Sequence, residues 1–350
     1  MVLFWHSIIV VSFEVKDLRA ITVARGISGD KSLADEPLLS VSNLTISVGR
    51  AAIVEDVSFG INSGEMLGLV GESGSGKSVT ALSMMRLLAE PPLRIADGSI
   101  CFLDRELTEL DEGTLQKIRG DEISMIFQEP MTSLNPVFNI GQQIREMILL
   151  HRSVTKRQAN DQAKDLLARV GIPSPSDVLL RYPHQLSGGQ RQRVMIAIAL
   201  ACEPKLLIAD EPTTALDVTV QAQILNLIDR LRRESRMAVL LITHDLGVVS
   251  QHCDKIAVMY LGRIVEYAAV DELFKNPRHH YTEALMRTIP SSNEPGKRLP
   301  AIGGTVPAPA SRPSGCAFHP RCAGATDQCL TDVPTLDGQN HKVACWNPVS

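Results

Sequence analysis

Short apolar runs without polar alternation are the first feature of this chain. Three of them cover residues 66–70, 206–209 and 238–242, and glycine or polar residues follow each. Strands buried on both faces of a parallel sheet have this composition. Amphipathic helical segments separate the runs, and the alternation predicts an α/β domain over 38–289. In such sheets, ligands bind beyond the carboxyl ends of the strands.

Residues 139–170 have a different pattern, in which apolar side chains recur at helical spacing. Gly171 ends the periodic stretch as a helix C-cap, and Pro173 follows it. The helical block interrupts the alternation of strands and helices. We therefore expect an inserted helical subdomain at about 129–186.

The two ends of the chain differ from the middle. Residues 1–37 show no sustained period, and we expect a poorly ordered extension there; a start codon placed too early and a peripheral membrane anchor are the alternatives. Residues 290–350 hold nine of the 20 prolines and four of the seven cysteines. That composition excludes long helices and central strands. We expect a linker, or a small lobe held by something other than a hydrophobic core.

Composition and charge exclude several classes of protein. Apolar residues make up 44% of the 350-residue chain, as in globular proteins, whereas aromatic residues are only 4%. The formal net charge of −4 provides no electrostatic footprint for nucleic acid. The sequence contains no apolar run of about 18 residues, so no transmembrane helix is predicted.

A candidate phosphate-binding loop follows the first apolar run. It fits G-x-x-x-x-G-K-[ST] in full and consists of Gly71, Glu72, Ser73, Gly74, Ser75, Gly76, Lys77 and Ser78. A strand precedes the loop and a helix over 78–88 is predicted after it, so backbone N–H groups and the helix N-terminus can surround an anion. The Lys77 amine can reach the β- and γ-phosphates of ATP, and the Ser78 hydroxyl can bind Mg²⁺.

Acidic and imidazole side chains follow the other two apolar runs. Asp210 can hold Mg²⁺, and Glu211 is the candidate to polarise an attacking water. His244 can hydrogen-bond the γ-phosphate. Each residue is commonplace at a strand end when taken alone, and the phosphate loop is what makes them candidates.

A second glycine-containing helix start makes the pattern specific. The segment LSGGQ at Leu186–Gln190 precedes an apolar helix and resembles the signature of ATP-binding cassette (ABC) ATPases. Gln128 matches the Q-loop of that family, Asp217 its D-loop and His244 its switch histidine. The resemblance covers about residues 38–350. It implies an α/β P-loop NTPase of the ABC ATPase type, with a mixed sheet core, an antiparallel β lobe, an inserted helical subdomain and a small C-terminal Cys-rich lobe.

The resemblance also implies roles for these residues. Catalysis is assigned to Gln128, Glu211 and His244, and Mg²⁺ binding to Ser78, Gln128 and Asp210. Four signature residues contact the ATP of a partner subunit in this family, and here they are Ser187, Gly188, Gly189 and Gln190. The complete set predicts ATP hydrolysis, and a nucleotide-binding scaffold without turnover is the weaker alternative.

One expected element of the family is missing. An aromatic residue that stacks on adenine usually lies near the position of Val48, but no aromatic residue occurs between Leu38 and Asp56. We therefore expect apolar contact with adenine in place of ring stacking.

Further segments resemble the oligopeptide and dipeptide importer ATPases. They are Glu129–Pro136, Asn276–Leu285, in which His280 replaces a usual proline, and Gly315–Cys322. This resemblance implies two transmembrane permease subunits, a second homologous ATP-binding subunit and a periplasmic or extracellular solute-binding protein, with no nucleic acid. It also implies a peripheral location on the cytoplasmic face of the cell (inner) membrane.

Import of oligopeptides or dipeptides is thus the expected function. Import of nickel or another small solute within the same subfamily is the alternative. A soluble ABC ATPase acting on DNA or ribosomes is the remote alternative, because only 108 residues separate Ser78 from Ser187 and they contain no sustained heptads.

Four cysteines fall in the tail, at Cys316, Cys322, Cys329 and Cys345. Four thiolates suit either a 4Fe–4S cluster or a structural Zn²⁺. The resembled subfamily implies the iron–sulfur cluster, with zinc as the alternative and four unligated thiols as the third outcome. The other three are expected to be buried small apolar residues, and they are Cys101, Cys202 and Cys253.

Overall fold

The computed structural model describes residues 37–128, 133–214, 216–289 and 301–349. The extension expected at 1–37 thus lies outside the described residues, apart from Pro37. The first four residues of the segment after the Q-loop, and residues 290–300 of the tail, also lie outside them.

In the described residues, the chain begins with three strands, and four α-helices lie in a row between Ile126 and Leu206. The strands are β1 (Leu39–Val48), β2 (Ala51–Ile61), β3 (Met66–Val70), β4 (Leu93–Phe102), β5 (Arg105–Glu106), β6 (Ile123–Ile126), β7 (Leu206–Asp210), β8 (Ala238–Thr243), β9 (Lys255–Tyr260), β10 (Arg263–Ala269) and β11 (Lys342–Val343). The helices are α1 (Lys77–Met84), α2 (Glu112–Ile118), α3 (Ile140–His151), α4 (Lys156–Arg169), α5 (Pro175–Val178), α6 (Gly188–Ala199), α7 (Val218–Ser235), α8 (Leu246–His252), α9 (Val270–Lys275), α10 (His280–Arg287) and α11 (Asp327–Thr331).

The described strands form two sheets. An antiparallel sheet has the order β2-β1-β4-β5, and a mixed sheet has the order β11-β10-β9-β3-β8-β7-β6. The mixed sheet is parallel from β9 to β6 and antiparallel at β10 and β11. The three predicted strands are β3, β7 and β8, and they lie side by side in its centre. The predicted mixed core and antiparallel lobe are confirmed.

The apolar core lies on both faces of the mixed sheet. Alternate residues such as Leu67 and Leu240 pack toward the antiparallel sheet. Their neighbours, Met66 and Val239, pack toward α3, α4, α6 and α7. Since both faces are covered, the central strands contain no alternating polar residues.

The predicted helical segments differ from the structure in their bounds. The block at 139–170 consists of two helices, α3 and α4, because Thr155 starts a new helix by accepting a hydrogen bond from the Gln158 N–H. Gly171 has the left-handed backbone expected of a C-cap, with φ +75°. The helix expected at 78–88 ends at Met84, since Arg86 takes a left-handed conformation with φ +46° and the chain turns away there.

The tail adds short elements to one edge of the mixed sheet. Strand β11 pairs with β10, and α11 has five residues. The described tail thus contains only short elements, as predicted. The expectation that something other than a core holds it is wrong, since Phe318 packs with the buried Tyr260 and Tyr281 of the ATPase domain.

Each helix in the described part of the chain is too short or too polar to cross a membrane.

Candidate functional site: a nucleotide-binding centre

The loop after β3 turns sharply before α1 begins. Gly76 is the N-cap of α1 and has φ +102°, a conformation that favours glycine. Gly71 approaches the neighbouring strand so closely that a Cβ there would lie 2.1 Å from the Met259 carbonyl oxygen. The loop can therefore present its backbone N–H groups at the N-terminus of α1, which is an anion-binding geometry.

The Lys77 side chain is held inside this loop. Its Nζ donates to the Gly71 carbonyl at 2.8 Å and to the Glu72 carbonyl at 3.0 Å. Lys77 is only 5% exposed. Burial lowers the pKa of the amine, and the charges of Glu211 and Asp210 partly oppose that effect.

Asp210 ends β7 beside the first turn of α1. Its Oδ1 accepts a hydrogen bond of 3.1 Å from the Ser78 hydroxyl. The carboxylate is 4% exposed, and burial raises its pKa. A hydroxyl and a buried carboxylate at this distance are hard oxygen ligands that fit Mg²⁺.

Glu211 is the residue on which the other candidate side chains converge. Its Oε2 accepts from Gln128 Nε2 at 3.1 Å and from Thr214 Oγ1 at 3.0 Å, and its Oε1 lies 3.3 Å from His244 Nδ1. Burial would raise its pKa, but the hydrogen bonds from Thr214 and His244 and the charge of Lys77 outweigh burial and lower it. The carboxylate is therefore ionised at neutral pH.

The backbone of Glu211 is strained. Its φ of +44° is rare for a residue with a side chain. Its N–H donates to the Ile242 carbonyl of the neighbouring strand at 2.9 Å, which holds the residue at the sheet edge. Strain of this kind concentrates at functional sites.

The parallel register of the sheet explains why these residues meet. Gln128 follows β6, Asp210 ends β7 and Glu211 follows it, and His244 follows β8. These strands run in the same direction in adjacent positions, so their carboxyl ends share one edge. The structure thereby brings together six predicted residues: Lys77, Ser78, Gln128, Asp210, Glu211 and His244.

The signature residues lie in a different cleft. Ser187 caps α6, where its Oγ accepts from the Gln190 N–H at 3.3 Å and the Gln190 Oε1 accepts from the Ser187 N–H at 3.1 Å. Gly188 and Gly189 follow and line an open cleft of about 410 Å³ together with Asp217. Asp217 in turn caps α7 by accepting from the Val220 N–H. The signature and the D-loop thus share one surface.

The adenine position predicted near Val48 lies where β1 ends. Val48 pairs with Ala51 across a turn in which Gly49 has φ +57°. Apolar contact with adenine at this turn stays a prediction.

The four tail cysteines influence one another electrostatically. Burial, together with the charges of the other three, raises the pKa of Cys345 to about 11. Within the ranges that the structure describes, however, no three His, Cys, Asp or Glu side chains form a group that could hold a metal ion. The cluster predicted at these cysteines therefore receives no support from this arrangement.

The other cysteines agree only in part with their predicted burial. Cys202 is buried, whereas Cys101 and Cys253 are half-buried. Cys253 nevertheless packs against the core. A Cβ added to Gly68 of β3 would lie 3.1 Å from its Sγ.

Sequence reasoning missed three contributors to the site. Thr214 donates to Glu211, while Arg321 and Tyr281 contact the phosphate loop at Glu72. The pairing of Arg321 with Glu72 spans 249 positions. A local motif contains no signal for such a contact.

Family comparisons agree with this geometry. The model of the ABC transporter family matches residues 54–214, and that of the oligopeptide/dipeptide transporter C-terminal region matches residues 265–329. The oligopeptide transport ATP-binding protein AppD of Bacillus subtilis (strain 168) is 52% identical over 303 residues, which are 85% of this chain and 92% of AppD. The chain belongs to this family of ABC transporter ATPases.

Solved structures of ABC ATPases are similar to this chain. A dimeric post-hydrolysis state of the ATP-binding cassette MJ0796, bound to ADP and Pi, matches with a TM-score of 0.59 and 27% identity over 66% of this chain and 98% of that one. CbiO1 from Clostridium perfringens, part of the ABC transporter complex CbiONQ, matches with a TM-score of 0.61 and 26% identity over 69% of this chain and 92% of that one. The predicted ABC ATPase fold is confirmed, the Cys-rich lobe stays a prediction, and this ABC ATPase uses ATP and Mg²⁺.

Proposed function

We propose that this ABC ATPase energises the import of oligopeptides or dipeptides through separate transmembrane subunits. Two features occurring together carry the proposal. The predicted catalytic side chains of Gln128 and His244 contact Glu211, and the C-terminal region matches the oligopeptide/dipeptide transporter model. The relative AppD is named as an oligopeptide transport protein, which supports peptides as the cargo.

The ATPase site works mainly by positioning and charge stabilisation. The Gly71–Ser78 loop binds the phosphates, and Lys77 neutralises charge that develops on them. Ser78, Gln128 and Asp210 would hold Mg²⁺, which would supply electrostatic stabilisation of the phosphate oxygens when bound. Glu211 is ionised and accepts a proton from the attacking water, which His244 helps to orient against the γ-phosphate.

The signature surface serves a second nucleotide in this proposal. Ser187, Gly188, Gly189 and Gln190 face the ATP bound by a homologous partner subunit, and Asp217 contributes from the same cleft. Closure of two cassettes on ATP, and their reopening after hydrolysis, shifts the populations of two conformations. The permease subunits transmit that shift across the membrane.

The proposed assembly rests on the match to the oligopeptide/dipeptide transporter family. The ATPase domain at 38–289, with its helical subdomain at about 129–186, docks on two permease subunits at the cytoplasmic face of the cell (inner) membrane. The tail at 290–350 forms the C-terminal lobe. A solute-binding protein outside that membrane delivers the cargo.

Transport in a deletion strain tests the cargo. Uptake of labelled dipeptides, oligopeptides and nickel is compared among strains that express the wild-type chain, the Lys77→Ala variant or no copy. Peptide uptake that requires the wild-type chain supports the proposal. If only nickel uptake requires the wild-type chain, the cargo is nickel and not peptide. If neither uptake requires the wild-type chain, import by this subunit is refuted.

A second proposal concerns the four tail cysteines, which hold a 4Fe–4S cluster, with zinc as the alternative. Hydrogen bonding to the backbone acts to lower the pKa of Cys316, Cys322 and Cys345, and the Thr326 N–H donates to Cys329 Sγ at 3.5 Å. Such donors stabilise thiolate ligands. They counteract the burial that otherwise raises the pKa of the first three thiols.

Metal analysis of the purified chain tests this second proposal. Anaerobic purification is expected to yield a brown protein with about four iron and four sulfide per chain. A Cys202→Ser variant serves as the matched control and should keep the iron, whereas Cys329→Ser should lose it. Zinc without iron would select the alternative, and neither metal would mean four unligated thiols.

A further inference from the structure

Glu72 in the phosphate loop is held by three groups at once. Its carbonyl oxygen accepts from Lys77 Nζ at 3.0 Å, and its N–H donates to the Tyr281 hydroxyl at 2.9 Å. Its carboxylate accepts two hydrogen bonds from Arg321, at 2.7 Å and 3.1 Å. The first contact lies within the loop, whereas the other two come from α10 and the C-terminal lobe.

The Arg321 guanidinium is fixed before it reaches Glu72. Its Nε donates to the Gly303 carbonyl at 2.8 Å, and its Cζ lies 5.8 Å and 5.9 Å from the ring centroids of Tyr260 and Phe318. The side chain is only 4% exposed. The planar guanidinium, a fork of N–H donors, is held on several sides and retains little conformational freedom. Its two-point pairing with a carboxylate is therefore geometrically specific.

Tyr281 is fixed in the same way. It is fully buried, and its ring packs 4.7 Å from that of Tyr260 and 5.3 Å from that of Phe318. Its hydroxyl accepts a hydrogen bond from the Glu72 N–H. Tyr281 of α10 and Arg321 of the lobe thus clamp a single residue of the loop, Glu72, one by its backbone and the other by its carboxylate.

We propose that Arg321 and Tyr281 are positioning residues, through which the C-terminal lobe and α10 set the affinity of the phosphate loop for ATP. The clamp acts in two ways. It fixes the Glu72 carbonyl against which the Lys77 amine lies, and it neutralises a carboxylate that would otherwise repel the polyphosphate. This inference rests on the proposed phosphate site and does not depend on the transported cargo.

Removal of the fork is the direct test. In the full-length chain with Mg²⁺, Arg321→Ala should weaken binding of a fluorescent ATP analogue about tenfold, and should raise the KM for ATP of the assembled transporter more than it lowers kcat. The reason is that Arg321 touches neither the phosphates nor Glu211. Tyr281→Phe, which removes only the hydroxyl, should weaken binding by a smaller factor.

A double variant separates charge from folding. In Glu72→Gln/Arg321→Ala the uncompensated carboxylate is gone, so ATP should bind more tightly than to Arg321→Ala alone. If Arg321→Ala fails to fold, Arg321→Lys keeps the charge but loses the fork, and it should still weaken ATP binding. Absence of rescue in the double variant would overturn the proposal.

A matched variant distinguishes positioning from simple attachment of the lobe. His341 Nε2 lies 2.6 Å from Glu266 Oε1 and thus attaches the same lobe to β10. His341→Gln should lower the melting temperature while ATP affinity stays within about twofold. An equal loss of ATP affinity in His341→Gln and Arg321→Ala, or unchanged affinity in a folded Arg321→Ala chain, would overturn the proposal.

Lys77→Ala, measured in parallel, tests the site on which the inference depends. Loss of ATP binding in Lys77→Ala with unchanged binding in Arg321→Ala would refute the clamp and leave the phosphate site in place. Full ATP binding in Lys77→Ala would refute the site itself.

Discussion

At the scale of single residues, Glu211 concentrates the chemistry of the site. Three side chains from three different segments contact its two oxygens. Burial acts to raise the pKa of Glu211, but the hydrogen bonds from Thr214 and His244, together with the charges of His244 and Lys77, outweigh burial and lower it. Its left-handed backbone holds the carboxylate at the edge of the sheet. A base that is ionised and fixed before substrate arrives needs little rearrangement in the transition state.

Replacement of Glu211 by glutamine removes the base and nearly preserves the shape of the side chain. ATP binding should persist, while hydrolysis should fall at least about 100-fold because the attacking water loses its proton acceptor. Steady-state phosphate release and retention of labelled ATP measure the two effects. The exposed Glu109→Gln is the matched control; wild-type hydrolysis by Glu211→Gln would remove Glu211 from this role.

Replacement of Lys77 by alanine removes the cation in the phosphate loop. Both ATP binding and ATP-dependent uptake should be lost, with a fall in hydrolysis of at least about 100-fold, because charge on the phosphates is no longer neutralised. Nucleotide binding and transport assays measure this. Lys117→Ala, on an exposed position of α2, should behave like the wild type; transport by Lys77→Ala would contradict the assignment.

At the scale of elements, capping hydrogen bonds at the starts of helices fix the positions of polar side chains. Ser187 and Asp217 cap α6 and α7, and His279 caps α10 by accepting from the Tyr281 N–H at 3.0 Å. The last cap has an electrostatic consequence. Burial lowers the pKa of His279 to about 3, and the neighbouring His280 acts in the same direction.

The depressed pKa of His279 makes stability depend on pH. The unfolded chain binds a proton at this residue below about pH 6.5, whereas the folded chain does not. The free energy of unfolding should therefore fall as pH drops from 6.5 toward 3, by up to about 1.4 kcal/mol per unit. The Glu266 carboxylate accepts from the His279 N–H and faces the same region.

An asparagine in place of His279 can still accept a hydrogen bond at a helix cap but does not titrate. The loss in melting temperature between pH 7.5 and about 5 should be smaller in His279→Asn than in the wild-type chain. Thermal unfolding over a pH series measures it. His184→Asn, at an exposed position, should keep the wild-type slope, and an unchanged slope in His279→Asn would contradict the assignment.

At the scale of the whole molecule, two surfaces have different tasks. In the proposed function the Lys77 site binds a nucleotide with residues of this chain, whereas the Ser187 cleft lies at the starts of α6 and α7 and serves the partner subunit. The C-terminal lobe contacts the first of them through Arg321. Nucleotide binding and partner closure should therefore respond to different substitutions.

A bulky substitution in the signature tests that separation. Ser187→Arg should leave ATP binding to the isolated chain within about twofold, while hydrolysis by the assembled transporter should fall about 100-fold because closure is blocked. Ser235→Arg, at the exposed opposite end of α7, is the matched control. Normal hydrolysis by the Ser187→Arg transporter would refute the role of this cleft in closure.

The sequence by itself determined the local parts of this ABC ATPase. Buried parallel strands need unbroken apolar runs, and a phosphate loop needs its glycines and lysine at set spacing, so β3, β7, β8 and residues 71–78 were readable from the chain. The predicted helix bounds were less accurate. Thr155 starts a helix by capping it, and the left-handed Arg86 follows the end of another, and hydrophobic periodicity contains no signal for either.

Only the tertiary structure decided which distant groups meet. The convergence of Gln128, Thr214 and His244 on Glu211 depends on the order and direction of β6, β7 and β8 in the sheet. The clamp of Arg321 on Glu72 depends on how the lobe packs against α10. A motif encodes distance along the chain, whereas hydrogen bonds and charge depend on distance in space, which the folded sheet and lobe alone set.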